Sequence, residues 1–266
     1  MFNSFRARSP GKPLAAILFY EAWWMFFWVL LVVFYRLRIW GRERVPAAVV
    51  NGKPQPFIIA LNHQSHFDPI LAGKTMPKRH LGFIARATLF TNPIFGWAIS
   101  ALGAFPINQK AADTQAIRET IAQLERGRAV MIFPEGSRTP TGAIHPFKRG
   151  IWLLISRSKC PVLPVAIEGA YDAWPRKRSF PKLFGQRLMM NVGEPIPSEK
   201  LLAMGSQAGL AFLASTIETL RLELVDKLAA AGHAVTTKPM CNIDLDEEGF
   251  VPAEVKPSAV RAATGV

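Results

Sequence analysis

A chain of 266 residues, half of them hydrophobic, has room for one catalytic domain with terminal extensions. Its 32 basic residues outweigh 19 acidic ones to give +13; the last 26 residues hold five acids and two bases, so residues 1–240 carry +16. That charge favours anionic lipid, nucleic acid or phosphorylated substrates, yet no nucleic-acid motif accompanies it, and two distant cysteines, Cys160 and Cys241, argue against a disulfide framework or metal pattern and fit a reducing compartment.

Residues 14–34 are apolar apart from Glu21. As a helix they would extend about 31 Å, close to the thickness of a bilayer core. The uninterrupted part, residues 22–35, reaches only about 21 Å, and burying Glu21 at depth costs a few kcal/mol. Phe19, Tyr20, Trp23, Trp24, Phe26, Phe27 and Trp28 crowd this stretch, and such rings favour the membrane–water interface. Arg6, Arg8 and Lys12 precede it and Arg36, Arg38, Arg42 and Arg44 follow it, so charge does not orient a span. The expectation is a helix lying at, or partly entering, one leaflet, with both basic ends on the cytoplasmic face of the inner membrane. A true span and a buried core helix are the competing readings. No small-residue cleavage site follows, which argues against a cleaved signal peptide. Residues 1–45 are therefore read as a membrane-associating segment.

Farther along, Phe57 to Leu61 is a short apolar run that predicts a buried strand, and residues 80–85 predict a second. Asn92 and Pro93 suit the cap and first turn of a helix reaching Leu102. Ala104 to Ile107 reads as a strand. Asp113 is placed to cap a helix over 114–125, stopped by Gly127. Strands are expected over 129–133, 162–167 and 187–192, with a helix over 151–155 between. Leu210, Leu213, Ile217, Leu220, Leu224 and Leu228 recur at threes and fours, predicting an amphipathic helix over 209–231. Alternating strands and helices predict a single α/β domain over 46–235 with a largely parallel sheet flanked by helices. Periodicity fades and acids and prolines accumulate over 236–266, which is read as a mobile tail.

The turn after the 57–61 strand reads Asn62-His63-Gln64-Ser65-His66-Phe67-Asp68. A neutral imidazole suits the abstraction of a hydroxyl proton near neutral pH, and a carboxylate fixes its tautomer and supports the imidazolium. Residues five apart in a regular helix point about 140° away from each other. His63 and Asp68 can therefore meet only if His63 lies in the turn and Asp68 opens a helix or stays in the loop, with Asn62 or Ser65 as cap and Pro69 in the first turn. On residue type alone His66 is a rival base, and His63, His66 and Asp68 are a rival metal set with no evident further ligand.

A second polar string, Phe133-Pro134-Glu135-Gly136-Ser137-Arg138-Thr139, follows the 129–133 strand, where loops of α/β folds present ligands. Gly136 permits close backbone approach and Arg138 can grip a phosphate with two prongs. Glu135 can accept from a ligand hydroxyl or orient Arg138. Lys148 and Arg149 follow closely enough to reinforce a phosphate site, whereas Arg176, Lys177, Arg178 and Lys182 read as a solvated or membrane-facing patch. No Gly-x-Ser-x-Gly string is present, so no nucleophilic serine of the elbow type is expected.

These two strings resemble the first and third blocks of the glycerolipid acyltransferases, the family containing 1-acylglycerol-3-phosphate acyltransferase. Residues 103–109 resemble the second block, with Gln109 where an arginine is usual, and 162–167 resemble the fourth, with its proline at Pro164. The resemblance selects His63 as base with Asp68 as its partner. It assigns Glu135, Gly136, Ser137 and Arg138 to the acyl acceptor, and puts Arg86 where many relatives carry a basic residue. It implies transfer of a fatty acyl group from acyl-CoA or acyl carrier protein to the sn-2 hydroxyl of 1-acylglycerol-3-phosphate, without metal or resident cofactor. The alternatives are another lysophospholipid acceptor and a non-catalytic lipid-binding protein. The expected partners are anionic membrane lipids, the lysophospholipid and the acyl donor, and not nucleic acid.

Overall fold

In the computed structural model, residues 13–50, 53–76, 81–107 and 112–233 are described. Seven strands form one sheet: β1 (Arg38–Trp40), β4 (Phe57–Leu61), β5 (Leu81–Arg86), β6 (Ala104–Ile107), β7 (Ala129–Ile132), β8 (Val162–Glu168) and β9 (Met189–Val192). Their order is β1-β9-β8-β4-β7-β5-β6. Only the β8–β9 pairing is antiparallel. A separate short hairpin joins β2 (Val49–Val50) to β3 (Lys53–Pro54). The central strands are buried along their length, as expected for a parallel sheet covered on both faces.

Period-two alternation divides the core. Ile58, Ala60, Val130, Val162 and Ala166 face α5 (Arg149–Ser158) and α7 (Ser198–Ala230), meeting Ile151, Ile155, Leu213, Ile217 and Leu224. Phe57, Ile59, Leu61, Leu163 and Val165 face the opposite side, against Leu31 and Tyr35 of α1 (Leu14–Tyr35) and Leu71 and Ala72 of α2 (Asp68–Thr75). The remaining helices are α3 (Pro93–Ala101), α4 (Ala112–Glu125) and the single turn α6 (Ala170–Ala173). Asn92 caps α3 as expected, its side-chain oxygen accepting from the N–H groups of Ile94 and Phe95. The side chain of Asp113, the expected cap of α4, lies outside the described residues.

Several boundaries differ from the sequence reading. Helix α7 begins eleven residues before Gly209 because Gly205 adopts φ 78°, ψ 168° and joins two helical stretches across a kink. Strand β1 lies inside the 1–45 segment assigned to the membrane and pairs with β9, so the sheet starts within that segment. Neither Asn62 nor Ser65 caps α2. Its cap position is Phe67, with no side-chain bond to the helix, because Asn62 is used across the sheet and Ser65 bonds the Trp174 carbonyl. The tail over 236–266 lies outside the described residues.

Helix α1 docks along its length. Ile17 and Tyr20 in its first half and Leu31 and Tyr35 in its second are buried, while Leu18, Met25, Phe26, Val29 and Val33 are exposed. It is long and apolar enough to cross a membrane by length and composition. One face is nevertheless committed to the domain and the other is open.

Candidate active site

The carboxyl ends of the adjacent parallel strands β8, β4 and β7 bring Glu168, His63 and Glu135 to one edge of the sheet, where α/β folds place their ligands. Asn62 fixes the exit of β4. Its amide donates to the carbonyl of Ile167 and accepts the Ile167 N–H, at 2.9 and 2.8 Å. The chain then turns so that Nδ1 of His63 donates to Oδ2 of Asp68 at 2.8 Å. The same oxygen accepts the Ser65 N–H at 2.6 Å. His63 thus lies in the turn and Asp68 opens α2. With Nδ1 donating, Nε2 is the basic atom. The imidazole stacks on Phe133, ring centres 3.8 Å apart and 13° from parallel.

Asp68 is wholly buried, whereas 17% of the His63 side chain is exposed, so the imidazole is reachable and its partner is not. Burial raises the Asp68 carboxyl above its ordinary value, and the His63 hydrogen bond pulls it back.

Glu135 has another place than the one read from sequence. Its carboxylate is buried, and its two oxygens accept backbone N–H groups, His63 at 2.7 Å and His145 at 3.0 Å. The His63 carbonyl in turn accepts the Thr139 N–H at 2.8 Å. Glu135 is therefore a clasp that ties the two motifs together, with its oxygens directed at backbone rather than at a glycerol hydroxyl or Arg138. Burial pushes its carboxyl up to about 8, against the two N–H bonds.

Gly136 adopts φ 70°, and a Cβ there would come within 2.8 Å of Cδ and Cε of Lys148. The positive φ is what calls for glycine here, since the exposed lysine stem is flexible and can move aside. Ser137 and Lys148 are exposed. Arg138 donates through Nη1 to Nε2 of His66. Burial and then the Arg138 charge lower the His66 pKa, consistent with a neutral acceptor ring. His66 packs near Trp174 and pairs with Arg138, so the rival base lacks the hydrogen-bonded acid that His63 has. The backbone of Arg86 ends β5, which β7 separates from β4; its side chain, Gln109 and Lys110 lie outside the described residues. Among the described residues, no three His, Cys, Asp or Glu side chains cluster to hold a metal.

Sequence reasoning missed the support beneath the turn. Gln64 donates to the carbonyl of Gly142 and to Glu168, and accepts the Tyr171 N–H. Glu168 receives Arg221 from α7 at 2.6 Å, and Arg221 also bonds Glu218 at 2.7 and 2.9 Å. All three charged side chains are buried. Burial alone would disfavour the guanidinium charge, but Glu218 and Glu168 outweigh it and hold the charge in place. The available signal was a charge at 221 beside the apolar stripe of Ile217, Leu220 and Leu224, where only a paired charge is tolerated.

A hydrogen-bonded imidazole and carboxylate thus stand at the carboxyl edge of the parallel sheet, with Arg138 and Lys148 on neighbouring loops. Residues 36–168 match the family described as Acyltransferase, half of the chain, and the chain belongs to that family. It is 28% identical over 144 residues to a chloroplastic 1-acyl-sn-glycerol-3-phosphate acyltransferase of Brassica napus, covering 53% of this chain and 40% of the relative. It is 31% identical over 172 residues to the 1-acyl-sn-glycerol-3-phosphate acyltransferase of Streptococcus pneumoniae, covering 64% and 61%. The chain thus spans less than two-thirds of either relative. The crystal structure of the 1-acyl-sn-glycerophosphate acyltransferase of Thermotoga maritima is similar at a TM-score of 0.65 and 26% identity, with 86% of each chain covered.

Proposed function

We propose that the chain is a membrane-associated acyltransferase moving a fatty acyl group from acyl-CoA or acyl carrier protein to the sn-2 hydroxyl of 1-acylglycerol-3-phosphate. The observation that carries this reading is the 2.8 Å bond from His63 Nδ1 to buried Asp68, which leaves Nε2 basic beside the Arg138 loop. In this mechanism the acceptor hydroxyl attacks the thioester carbonyl as Nε2 takes its proton. Asp68 stabilises the imidazolium. The tetrahedral centre collapses with cleavage of the C–S bond, and the imidazolium returns the proton to the departing thiolate. Atoms and charge balance without a resident cofactor or metal. Arg138 and Lys148 supply charge for the acceptor's phosphate, and the Glu135 clasp sets the distance between that charge and the base.

Helix α1, committed to the domain on one face and apolar on the other, supports a position in one leaflet rather than a span, and we place that leaflet on the cytoplasmic side. A crossing helix would have to leave the contacts of Ile17, Tyr20, Leu31 and Tyr35 or draw the polar domain into lipid. The basic surface suits anionic lipids. The test of the acceptor is a panel of lysolipids offered with one labelled acyl donor. Phosphatidic acid is the expected main product; acylation of an uncharged lysolipid at equal rate would remove the role given to Arg138 and Lys148.

A further inference from the structure

We propose that the loop over residues 175–185 is a second membrane anchor, which inserts Phe180, Leu183 and Phe184 into an anionic bilayer beside α1. The proposal rests on the membrane reading of α1 and adds a site to it. The three side chains are 79%, 48% and 73% exposed, unusual for large apolar groups lying close together. Around them Arg176, Lys177, Arg178 and Lys182 are also exposed. Aromatic tips in a ring of bases match the interfacial zone of an anionic membrane, where rings sit at headgroup depth and bases meet phosphate.

Two hydrogen bonds tie the loop to the end of α6. The indole of Trp174 donates to the Arg178 carbonyl at 2.9 Å, and the Lys182 N–H donates to the Ala173 carbonyl at 2.9 Å. The loop also meets the flank of α1, through a half-buried ring that packs on the core. The Phe184 ring lies 5.5 Å from Phe34, near one end of the helix, and Trp97 of α3 lies 5.1 Å from Phe19, near the other. Those contact points are about 22 Å apart along the helix. Exposed apolar groups thus border α1 at both ends, a layout suited to a helix lying flat on lipid. The base of the loop also forms part of the catalytic turn: the Trp174 carbonyl accepts the Ser65 hydroxyl at 2.7 Å and the His66 N–H at 3.4 Å. Lipid under the loop would hold the mouth of the site at the bilayer surface, where a lysolipid acceptor resides.

The test uses the full chain carrying Cys241→Ser and Phe184→Cys labelled with an environment-sensitive dye, Cys160 being buried. Vesicles of equimolar phosphatidylglycerol and phosphatidylcholine should shift the emission to the blue, and lipids with quenchers in the upper acyl region should quench it. Replacing Phe180, Leu183 and Phe184 together by Ser should weaken vesicle binding roughly tenfold or more. Turnover of detergent-dispersed acceptor should be unchanged. Each neutralised base of the loop should weaken binding by about fivefold at low salt. Vesicle co-sedimentation with no change at the dye would overturn the second anchor and leave the α1 reading standing. Failure to co-sediment at all would remove both. A blue shift without vesicles that grows with protein concentration would assign the patch to a second copy of the chain instead.

Discussion

The clasp role of Glu135 makes a sharp prediction. Glu135→Ala leaves the partly buried N–H groups of His63 and His145 without their acceptors. Each unsatisfied group costs about 1–3 kcal/mol, so the variant should lose roughly 2–6 kcal/mol against a total of about 5–15 kcal/mol for a folded domain. At about 2–4 °C per kcal/mol for a domain of this size, its melting temperature should fall by roughly 4–24 °C. Glu135→Gln keeps one carbonyl acceptor and should fall between the two. Turnover should drop as well, because the backbone of His63 is released, and a shift of about 1 Å in a reacting group can cost about 100-fold in rate. The assay is thermal unfolding in detergent by circular dichroism, paired with steady-state kinetics on the same samples. If Glu135→Ala melts with the parent chain and only the apparent KM for the acceptor rises, the carboxylate binds substrate and the clasp is wrong.

The same geometry fixes three other outcomes. Burial raises the Glu135 pKa from 4.5 to about 8; folded chains then hold a proton there that unfolded chains release, so this group's stability contribution is complete below about pH 4.5 and is lost as pH rises toward 8. The slope reaches at most about 1.4 kcal/mol per pH unit, and denaturant titrations across that range should show it in the parent but not in Glu135→Gln; equal slopes would contradict it. Arg138→Ala should raise the KM for the phosphorylated acceptor and, by removing a charge that lowers the His66 pKa, move that ring's NMR titration to higher pH; an unmoved titration would break the assigned pair. Arg221→Met strands Glu168 and Glu218 without their buried partner and should cost about 3–5 kcal/mol in urea unfolding, with a negligible change arguing that the network is slack.

Local signals carried much of the fold. Short β-branched runs such as 162–167 became strands because their neighbours bury both faces, and Asn92-Pro93 started a helix with the expected bonds. The His63–Asp68 pairing was legible through the family resemblance, since residue type alone left His66 as a rival and the spacing required only that His63 lie outside the helix. What stayed hidden depends on distant partners. Strand β1 is three residues long and exists through its pairing with β9, some 150 positions away. Glu135 looked like a ligand because nothing local reveals that its oxygens meet the backbone of residues 63 and 145. The Gln64–Glu168–Arg221 relay joins three segments of the chain, and only the oddness of a charge beside an apolar stripe hinted at it.

The most direct trial of the central claim is single-turnover acyl transfer by His63→Ala, with labelled acyl-CoA or acyl carrier protein and 1-acylglycerol-3-phosphate, product read by mass spectrometry. The expected rate is lower by about 100- to 10,000-fold in a variant that still binds vesicles and keeps its fold by circular dichroism. Phosphatidic acid formed at close to the parent rate would show that the imidazole beside Asp68 does not take the proton.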